Sequence, residues 1–226
     1  MAKKVWELAT SPIYWFLWGL FRFVGFICFG IRFHGQENIP PGGRLLVAGN
    51  HASILDIPFL GCGINRRLSF IGRHNLFPIP VIGPFLQRLG WIPIRQDRMD
   101  RKAFRIAEQL LMENKAVVIF PEGSRTETGA LGEGRPGLAR LVARTGCKVL
   151  PVYIHGTFEA LPIGSRAISF NQITVTYGRP MDFSAQSALY SKKDFYRHVS
   201  LAVMNAITGL GLTASTASAT PVERPR

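Results

Sequence analysis

The stretch Arg44–Asp56, RLLVAGNHASILD, decides the fold of this chain. Its first half, Arg44–Gly49, is a short apolar run after a turn rich in Pro and Gly, which is typical of a strand buried on both faces of a sheet. A polar loop follows, and from about Ser53 to Leu60 the pattern is helical. A buried strand that leads through a loop into a helix begins a strand–helix–strand unit, so the stretch indicates an α/β fold.

The same alternation continues toward the C-terminus. Apolar runs predict strands at 68–72, 91–94, 116–120, 148–154 and 172–177, and helical periodicity predicts helices at 81–89, 100–115, 138–145 and 194–210. Helices that alternate with buried strands predict one α/β domain, in which helices cover a mixed, mostly parallel sheet. A length of 226 residues suits a single domain of this kind.

The N-terminal segment, residues 1–32, is unusually apolar. Pro12–Ile31 contains eight aromatic side chains and a single charge, Arg22. A helix of this length could cross a bilayer, but a charge near its middle is unfavourable there, and the aromatic side chains suit the headgroup level. We expect membrane contact, either flat in the interface or as a span, and a buried core helix is the alternative. A cleaved signal peptide is not expected, because no small-residue cleavage pattern precedes His34.

Composition predicts the remaining domain boundaries and the kinds of cross-link and metal site to expect. The α/β domain takes residues 33–211, and the tail 212–226 has so little apolar material that we expect it to be disordered. The three cysteines, Cys28, Cys62 and Cys147, are odd in number and widely spaced. This pattern argues against a disulfide framework or a zinc site and favours a reducing compartment. The histidines are scattered, so we expect no metal.

The charge balance narrows the class of partner. The chain has 27 basic and 14 acidic residues, a formal net charge of +13 spread along its length. Such a protein attracts polyanions: nucleic acid, anionic lipid, a phosphorylated substrate or an acidic carrier protein. A nucleic-acid footprint is best sought in one cluster, Arg95, Arg98, Arg101, Lys102 and Arg105. Asp97 and Asp100 interrupt it, so the cluster is typical of a solvated helix face, and we expect no nucleic-acid partner.

Two polar side chains follow the first buried strand. His51 and Asp56 are five positions apart, which on a regular helix would turn them about 140° from each other. They can meet only if His51 lies in the loop and the helix starts after it, with Ser53 as a possible N-cap. Asp56 would then hold one imidazole nitrogen and leave the other free to act as a base. A lone His–Asp pair is more often structural than catalytic.

A second polar segment, FPEGSR at 120–125, follows another buried strand. Pro121 cannot continue a central strand, so the chain must turn there. Gly123 permits close backbone approach, Glu122 could hold a hydroxyl, and the guanidinium of Arg125 suits a phosphate. Because parallel strands place their carboxyl ends at one edge, both polar segments are predicted to meet there.

These residues resemble a known family, the PlsC-type glycerophospholipid acyltransferases. NHASILD resembles its N-H-x4-D motif, and FPEGSR resembles its F-P-E-G-T/S-R motif. GWIPIR at 90–95 and LPV at 150–152 are similar to two further motifs, and FIGRHNLFPIPVIG at 70–83 is similar to the segment between the first two. Order and spacing agree over roughly residues 40–180.

The resemblance implies a role for each matching residue. His51 is expected to be the general base and Asp56 its orienting partner. Glu122 and Gly123 are expected to position the glycerol part of the acceptor, and three arginines, Arg73, Arg95 and Arg125, to bind its phosphate.

The implied reaction moves a fatty acyl group from acyl-CoA or acyl carrier protein, as co-substrate, to lysophosphatidic acid. It needs no cofactor, and it is expected on an anionic surface at the cytoplasmic face of the cell membrane. Another lyso-lipid or glycerol 3-phosphate is the alternative acceptor, and a hydrolase that uses water is an alternative reaction.

Overall fold

The structure is a computed structural model that describes residues 12–73, 90–94, 100–187 and 189–218. The helices are α1 Pro12–Phe29, α2 Asp56–Cys62, α3 Arg101–Met112, α4 Gly137–Thr145, α5 Thr157–Ala160 and α6 Lys192–Ser218. The strands are β1 Arg32–His34, β2 Leu45–Gly49, β3 Leu68–Arg73, β4 Trp91–Ile94, β5 Ala116–Ile119, β6 Lys148–His155 and β7 Thr174–Tyr177. Two short 3-10 helices lie at Gln36–Asn38 and Ser184–Gln186.

The seven strands form one sheet in the order β1-β7-β6-β2-β5-β3-β4. Every neighbouring pair is parallel except β6 and β7, which run antiparallel. β2 lies in the middle, where Leu45 is in register with Ala116 of β5 and with Lys148 of β6. The predicted mixed, mostly parallel sheet is confirmed. Because β2, β5 and β6 are parallel, their carboxyl ends meet at one edge of the sheet.

Two helical layers bury the two faces of this sheet. Leu46 and Ala48 point into the layer of α3, α4 and α6, whereas Leu45 and Val47 point into the layer that contains α1 and α2. Successive side chains of a strand alternate between faces, so an unbroken apolar strand such as β2 is stable only with helices on both sides. All five residues of β2 are buried.

Two elements differ from the sequence predictions, and a third lies outside the described residues. The helix predicted from Ser53 begins at Asp56 instead, because residues 53–55 form a turn: the Ser53 hydroxyl donates to the Leu161 carbonyl at 2.7 Å and accepts from the Leu55 N–H at 3.3 Å, and the Ser53 N–H donates to the Asp56 carboxylate. The tail predicted to be disordered from residue 212 continues α6 through Ser218. No Pro interrupts 212–218, so the helix that is already formed propagates through them. The helix predicted at 81–89 lies outside the described residues.

Helix α1 has two contrasting sides. Its inner side packs on α2: Trp18 and Arg22 donate to backbone carbonyls of 61–64, and Gly25 fits against the ring of Phe59. Its outer side is apolar and exposed, with Trp15, Phe16, Leu20, Phe23, Phe26 and Ile27. No helix within the described ranges combines the length and the apolar character that a bilayer-crossing segment needs.

Candidate active site

The loop between β2 and α2 lies at the carboxyl edge of the sheet, and Asn50 anchors its start. The Asn50 amide donates to the Ile154 carbonyl at 2.9 Å and accepts from the Ile154 N–H at 2.7 Å. Through these two bonds, the Asn50 side chain continues the hydrogen-bonded pairing of β2 with β6 beyond the last residue of β2. The next residue, His51, therefore leaves the sheet from a fixed point.

The predicted pair of His51 and Asp56 is formed. The Nδ1 atom of His51 lies 2.9 Å from Oδ2 of Asp56. The same carboxylate oxygen accepts from the N–H groups of Ala52 at 2.7 Å and Ser53 at 2.8 Å, and Oδ1 accepts from the Thr157 hydroxyl at 2.6 Å. Asp56 is fully buried, and these four donors replace the water that a buried carboxylate loses.

The ring of His51 is held on a second side by Phe120, the last residue before Pro121. The two rings are stacked, with centroids 3.9 Å apart and planes 12° apart. An ionised carboxylate can only accept, so Nδ1 carries the proton toward Asp56 and the lone pair lies on Nε2. The side chain is 14% exposed, so one edge of the ring is accessible from outside.

Glu122 ties the two polar segments together. Its Oε1 accepts from the His51 N–H at 2.7 Å, and its Oε2 accepts from the Gly132 N–H at 2.8 Å. The His51 carbonyl is also bonded, by the Thr126 N–H at 2.9 Å. Burial raises the pKa of Glu122 above its usual range, although the two backbone donors act to lower that pKa. In this structure Glu122 fixes the backbone of the base, and its predicted contact with the acceptor stays a prediction.

Gly123 makes the turn that the sequence required after Pro121. Its φ is 76°, a left-handed conformation that favours glycine. A Cβ atom at this position would lie 2.7 Å from Nε of Arg135, so the Arg135 side chain would have to shift to make room for it. The Gly123 N–H donates to the Phe120 carbonyl at 3.0 Å, so this N–H takes part in a hydrogen bond of the turn.

Of the three arginines predicted to bind phosphate, only Arg125 lies with its side chain within the described residues. Arg125 is half-buried and follows Gly123 by two residues in the sequence. Its guanidinium has no hydrogen bond or ion pair with any of the described residues. Arg73 ends β3 at the same edge of the sheet, although its side chain is outside the description. Arg95 follows β4 and is itself outside the described residues.

Four contributors to the site were not predicted. Thr157 comes 101 residues after Asp56 in the sequence, and Gly132 lies in a long loop. Phe120 was treated only as part of a motif. Arg135 approaches Gly123 from the same long loop that contains Gly132. Only Phe120 had a usable signal, since a stacked aromatic beside the base is a reasonable role for the residue that ends a strand next to it. The described residues contain no group of three or more His, Cys, Asp or Glu side chains that could hold a metal ion.

A strand-end imidazole, aimed by a buried carboxylate and open at Nε2, defines a class of α/β proteins that use histidine as a general base. Comparison with known proteins gives the family. The sequence model of the Acyltransferase family matches residues 30–155, which include His51, Asp56 and the whole FPEGSR segment. The chain belongs to this family, and the predicted resemblance to PlsC-type acyltransferases is confirmed.

Individual relatives are similar to this chain over part of their length. The chain is 32% identical over 165 residues to a chloroplastic 1-acyl-sn-glycerol-3-phosphate acyltransferase of Arabidopsis thaliana, an alignment that covers 70% of this chain and 46% of that protein. It is 28% identical to a 1-acyl-sn-glycerol-3-phosphate acyltransferase of Borreliella burgdorferi, over 54% of this chain and 50% of that one. The chain thus matches about half the length of these relatives.

A solved structure shares the fold. The crystal structure of the 1-acyl-sn-glycerophosphate acyltransferase PlsC from Thermotoga maritima superposes with a TM-score of 0.70. The match covers 86% of this chain and 79% of that one, at 24% identity. At this level of identity the likeness supports the architecture of sheet and helices.

Proposed function

We propose that this chain transfers a fatty acyl group from a thioester to the free hydroxyl of 1-acyl-sn-glycerol 3-phosphate and so produces phosphatidic acid. The observation that carries the proposal is the orientation of His51, whose Nδ1 is held by Asp56 while Nε2 makes no hydrogen bond with any residue that the structure describes. The names of the Arabidopsis and Borreliella relatives as 1-acyl-sn-glycerol-3-phosphate acyltransferases support this acceptor. The thioester donor is acyl-CoA or acyl carrier protein.

The geometry supports a direct transfer. Nε2 of His51 removes the proton of the acceptor hydroxyl as its oxygen attacks the thioester carbonyl, and a tetrahedral oxyanion forms. The intermediate then expels the thiolate, which takes the proton back from His51. General-base assistance of this kind accelerates a reaction by about 10²–10⁴-fold. The negative charge of Asp56 stabilises the imidazolium that forms between the two steps.

The arginines supply the affinity for the acceptor. The guanidinium of Arg125, two residues beyond Gly123, has no partner within the described ranges and is our first candidate for the phosphate. Arg73 and Arg95 are the further candidates, because Arg73 ends β3 at the same edge and Arg95 is the next residue in the sequence after β4. A planar guanidinium binds a phosphate in bidentate fashion, which orients the glycerol as well as holding it.

The outer side of α1 is the proposed membrane contact. Arg22 was the charge that made a membrane position unfavourable, but its guanidinium donates to the Cys62 carbonyl at 2.8 Å and lies over the rings of Trp18 and Phe33. The outward side of α1 is thus left apolar. We place the protein on the cytoplasmic face of the cell membrane, bound through α1 to one leaflet.

The test is a panel of acceptors with both donor types, read by mass spectrometry. We expect lysophosphatidic acid to be acylated and His51→Ala to lose the activity while its circular dichroism spectrum stays that of the wild type. Preference for glycerol 3-phosphate or another lyso-lipid would change the acceptor. Release of free fatty acid without transfer would show a hydrolase, and full activity of His51→Ala would remove the mechanism.

A further inference from the structure

The loop between α5 and β7 exposes large apolar side chains. Residues 161–170, which we call the 161–170 loop, include Phe170 at 71% exposed, Ile168 at 47% and Ile163 at 40%. Arg166 is the one charged residue in the loop, and none is acidic. A group of exposed apolar side chains in one segment is more often an interaction surface than an average part of the protein surface is.

The backbone of the 161–170 loop is well anchored. The Ser169 N–H donates to the Ala160 carbonyl at 2.9 Å, and the Ser165 N–H donates to the Pro162 carbonyl at 3.2 Å. The Asn171 side chain donates to the Gly156 carbonyl at 2.8 Å. These bonds fix the turn, so the apolar side chains are presented outward by a formed structure.

One end of the loop joins helix α1. The Ile173 N–H donates to the Phe29 carbonyl at 3.1 Å, and the ring centroids of Phe170 and Phe29 are 5.5 Å apart. Phe29 is the last residue of α1, two residues after the exposed Ile27 and three after the exposed Phe26. The apolar surface of α1 therefore continues into the loop.

The other end of the loop reaches the site. The Ser53 hydroxyl donates to the Leu161 carbonyl at 2.7 Å, and the neighbouring Ile54 is 50% exposed. Ile54 is three residues from His51. Apolar side chains thus extend from α1 through the 161–170 loop to the rim of the catalytic pair.

We infer that the 161–170 loop inserts into the same lipid leaflet as α1 and forms a second membrane contact beside His51. This inference rests on the proposed function. The occupant is a bilayer, because α1 and the loop contain no acidic residue, while Arg166 and the exposed Arg32 can meet anionic headgroups. A lyso-lipid could then present its hydroxyl to His51 without leaving the leaflet.

The first experiment places an environment-sensitive fluorophore at single positions. In a Cys28→Ser background the label is attached to Phe170→Cys, to Phe23→Cys on the outer side of α1, and to Lys193→Cys on the exposed surface of α6. Vesicles are made of phosphatidylcholine mixed with phosphatidylglycerol. We expect blue shifts and quenching by brominated lipid at positions 170 and 23, and neither at 193.

Other outcomes separate the inference from the function on which it rests. A shift at 23 without one at 170 would overturn the loop contact and leave α1 as the membrane contact. No shift at either position, with activity retained on a short-chain acceptor, would overturn both membrane contacts but keep the reaction. A shift at 170 that depends on protein concentration without vesicles would overturn the bilayer as occupant in favour of a second copy of the chain.

A second measurement uses activity. Phe170→Ser and Ile168→Ser should each weaken vesicle binding about tenfold or more, the loss expected for one large apolar side chain. The ratio of activity on vesicle-embedded acceptor to activity on a short-chain acceptor should fall with it. Leu189→Ser is the matched control, since Leu189 is 78% exposed next to the start of α6, in the other helical layer. An unchanged ratio in the loop variants, or an equal fall in the control, would refute the inference.

Discussion

Replacing Thr157 with Val removes one hydroxyl from the support of Asp56 and keeps the shape of the side chain. The hydroxyl donates to Oδ1 of Asp56 at 2.6 Å, and both residues are fully buried. No water replaces a donor lost inside such a site without rearrangement, so Oδ1 loses its protein donor. Hydrogen bonds to charged groups contribute about 1.5–3 kcal/mol.

We therefore expect Thr157→Val to lower the free energy of unfolding by about 1.5–3 kcal/mol, measured by urea denaturation. The effect on catalysis should appear in kcat, because Thr157 acts through Asp56 on the orientation of His51 and not on the acceptor. A small displacement of a catalytic group costs up to about a hundredfold in rate, so a fall in kcat on the order of tenfold to a hundredfold is expected with little change in acceptor KM.

Thr157→Ser is the matched control, because it keeps the hydroxyl and loses only a methyl group. It should recover most of the kcat that the Val variant loses. A Val variant that is less stable but has the kcat of the wild type would show that Thr157 is merely structural. A Val variant with unchanged stability and kcat would refute the whole account of Asp56.

Other substitutions test separate parts of the site. Asp56→Asn should reduce kcat by about 10³–10⁴-fold, because an amide does not hold His51 in the tautomer with a free Nε2; an active variant would contradict this. Gly123→Ala should impair folding or activity, since φ 76° strains any residue with a Cβ atom and the Arg135 side chain would also have to move; a thermal melt beside the wild type measures it. Arg125→Ala should raise acceptor KM about tenfold or more with donor KM unchanged, read by steady-state kinetics; unchanged acceptor KM would remove the phosphate role. Burial raises the pKa of Glu122 above its unfolded value, so its contribution to stability is present below the unfolded pKa and is lost as pH rises through the folded pKa. Unfolding curves across pH should show this fall in the wild type and a flatter profile in Glu122→Gln, and parallel profiles would contradict it.

Local patterns predicted the sheet and the catalytic pair because each depends on short spacings. Continuous apolar runs such as Leu45–Gly49 report burial on both faces, and the five-residue step from His51 to Asp56 requires the histidine to lie in the loop. The predicted start of α2 was wrong by three residues because residues 53–55 form a turn, and the Ser53 hydroxyl of that turn is held by the Leu161 carbonyl, 108 positions away. A contact of that separation leaves no trace in the local pattern.

The tail shows a different limit of sequence reasoning. Residues 212–218 have few apolar side chains to bury, which favours disorder in an isolated segment. They follow a helix that is already anchored by Val199, Val203 and Ile207 in the core, so no new nucleus is needed. Helix propagation from a packed core therefore takes the chain to Ser218, where composition alone predicted an earlier end.

Glu122 has a structural role that the motif alone did not indicate. Both of its oxygens accept from backbone N–H groups, of His51 and Gly132, and its expected contact with the acceptor stays a prediction. Together with the bonds that Asp56 makes, this places the base in a network that joins the ends of β2, β5 and β6 before any substrate is present. A base held in this way loses little entropy when the acceptor arrives, which is the condition for efficient proton transfer. The acidic residues of both motifs thus hold His51 in place, which leaves the proposed recognition of the acceptor to be tested at the arginines and at the proposed membrane contact.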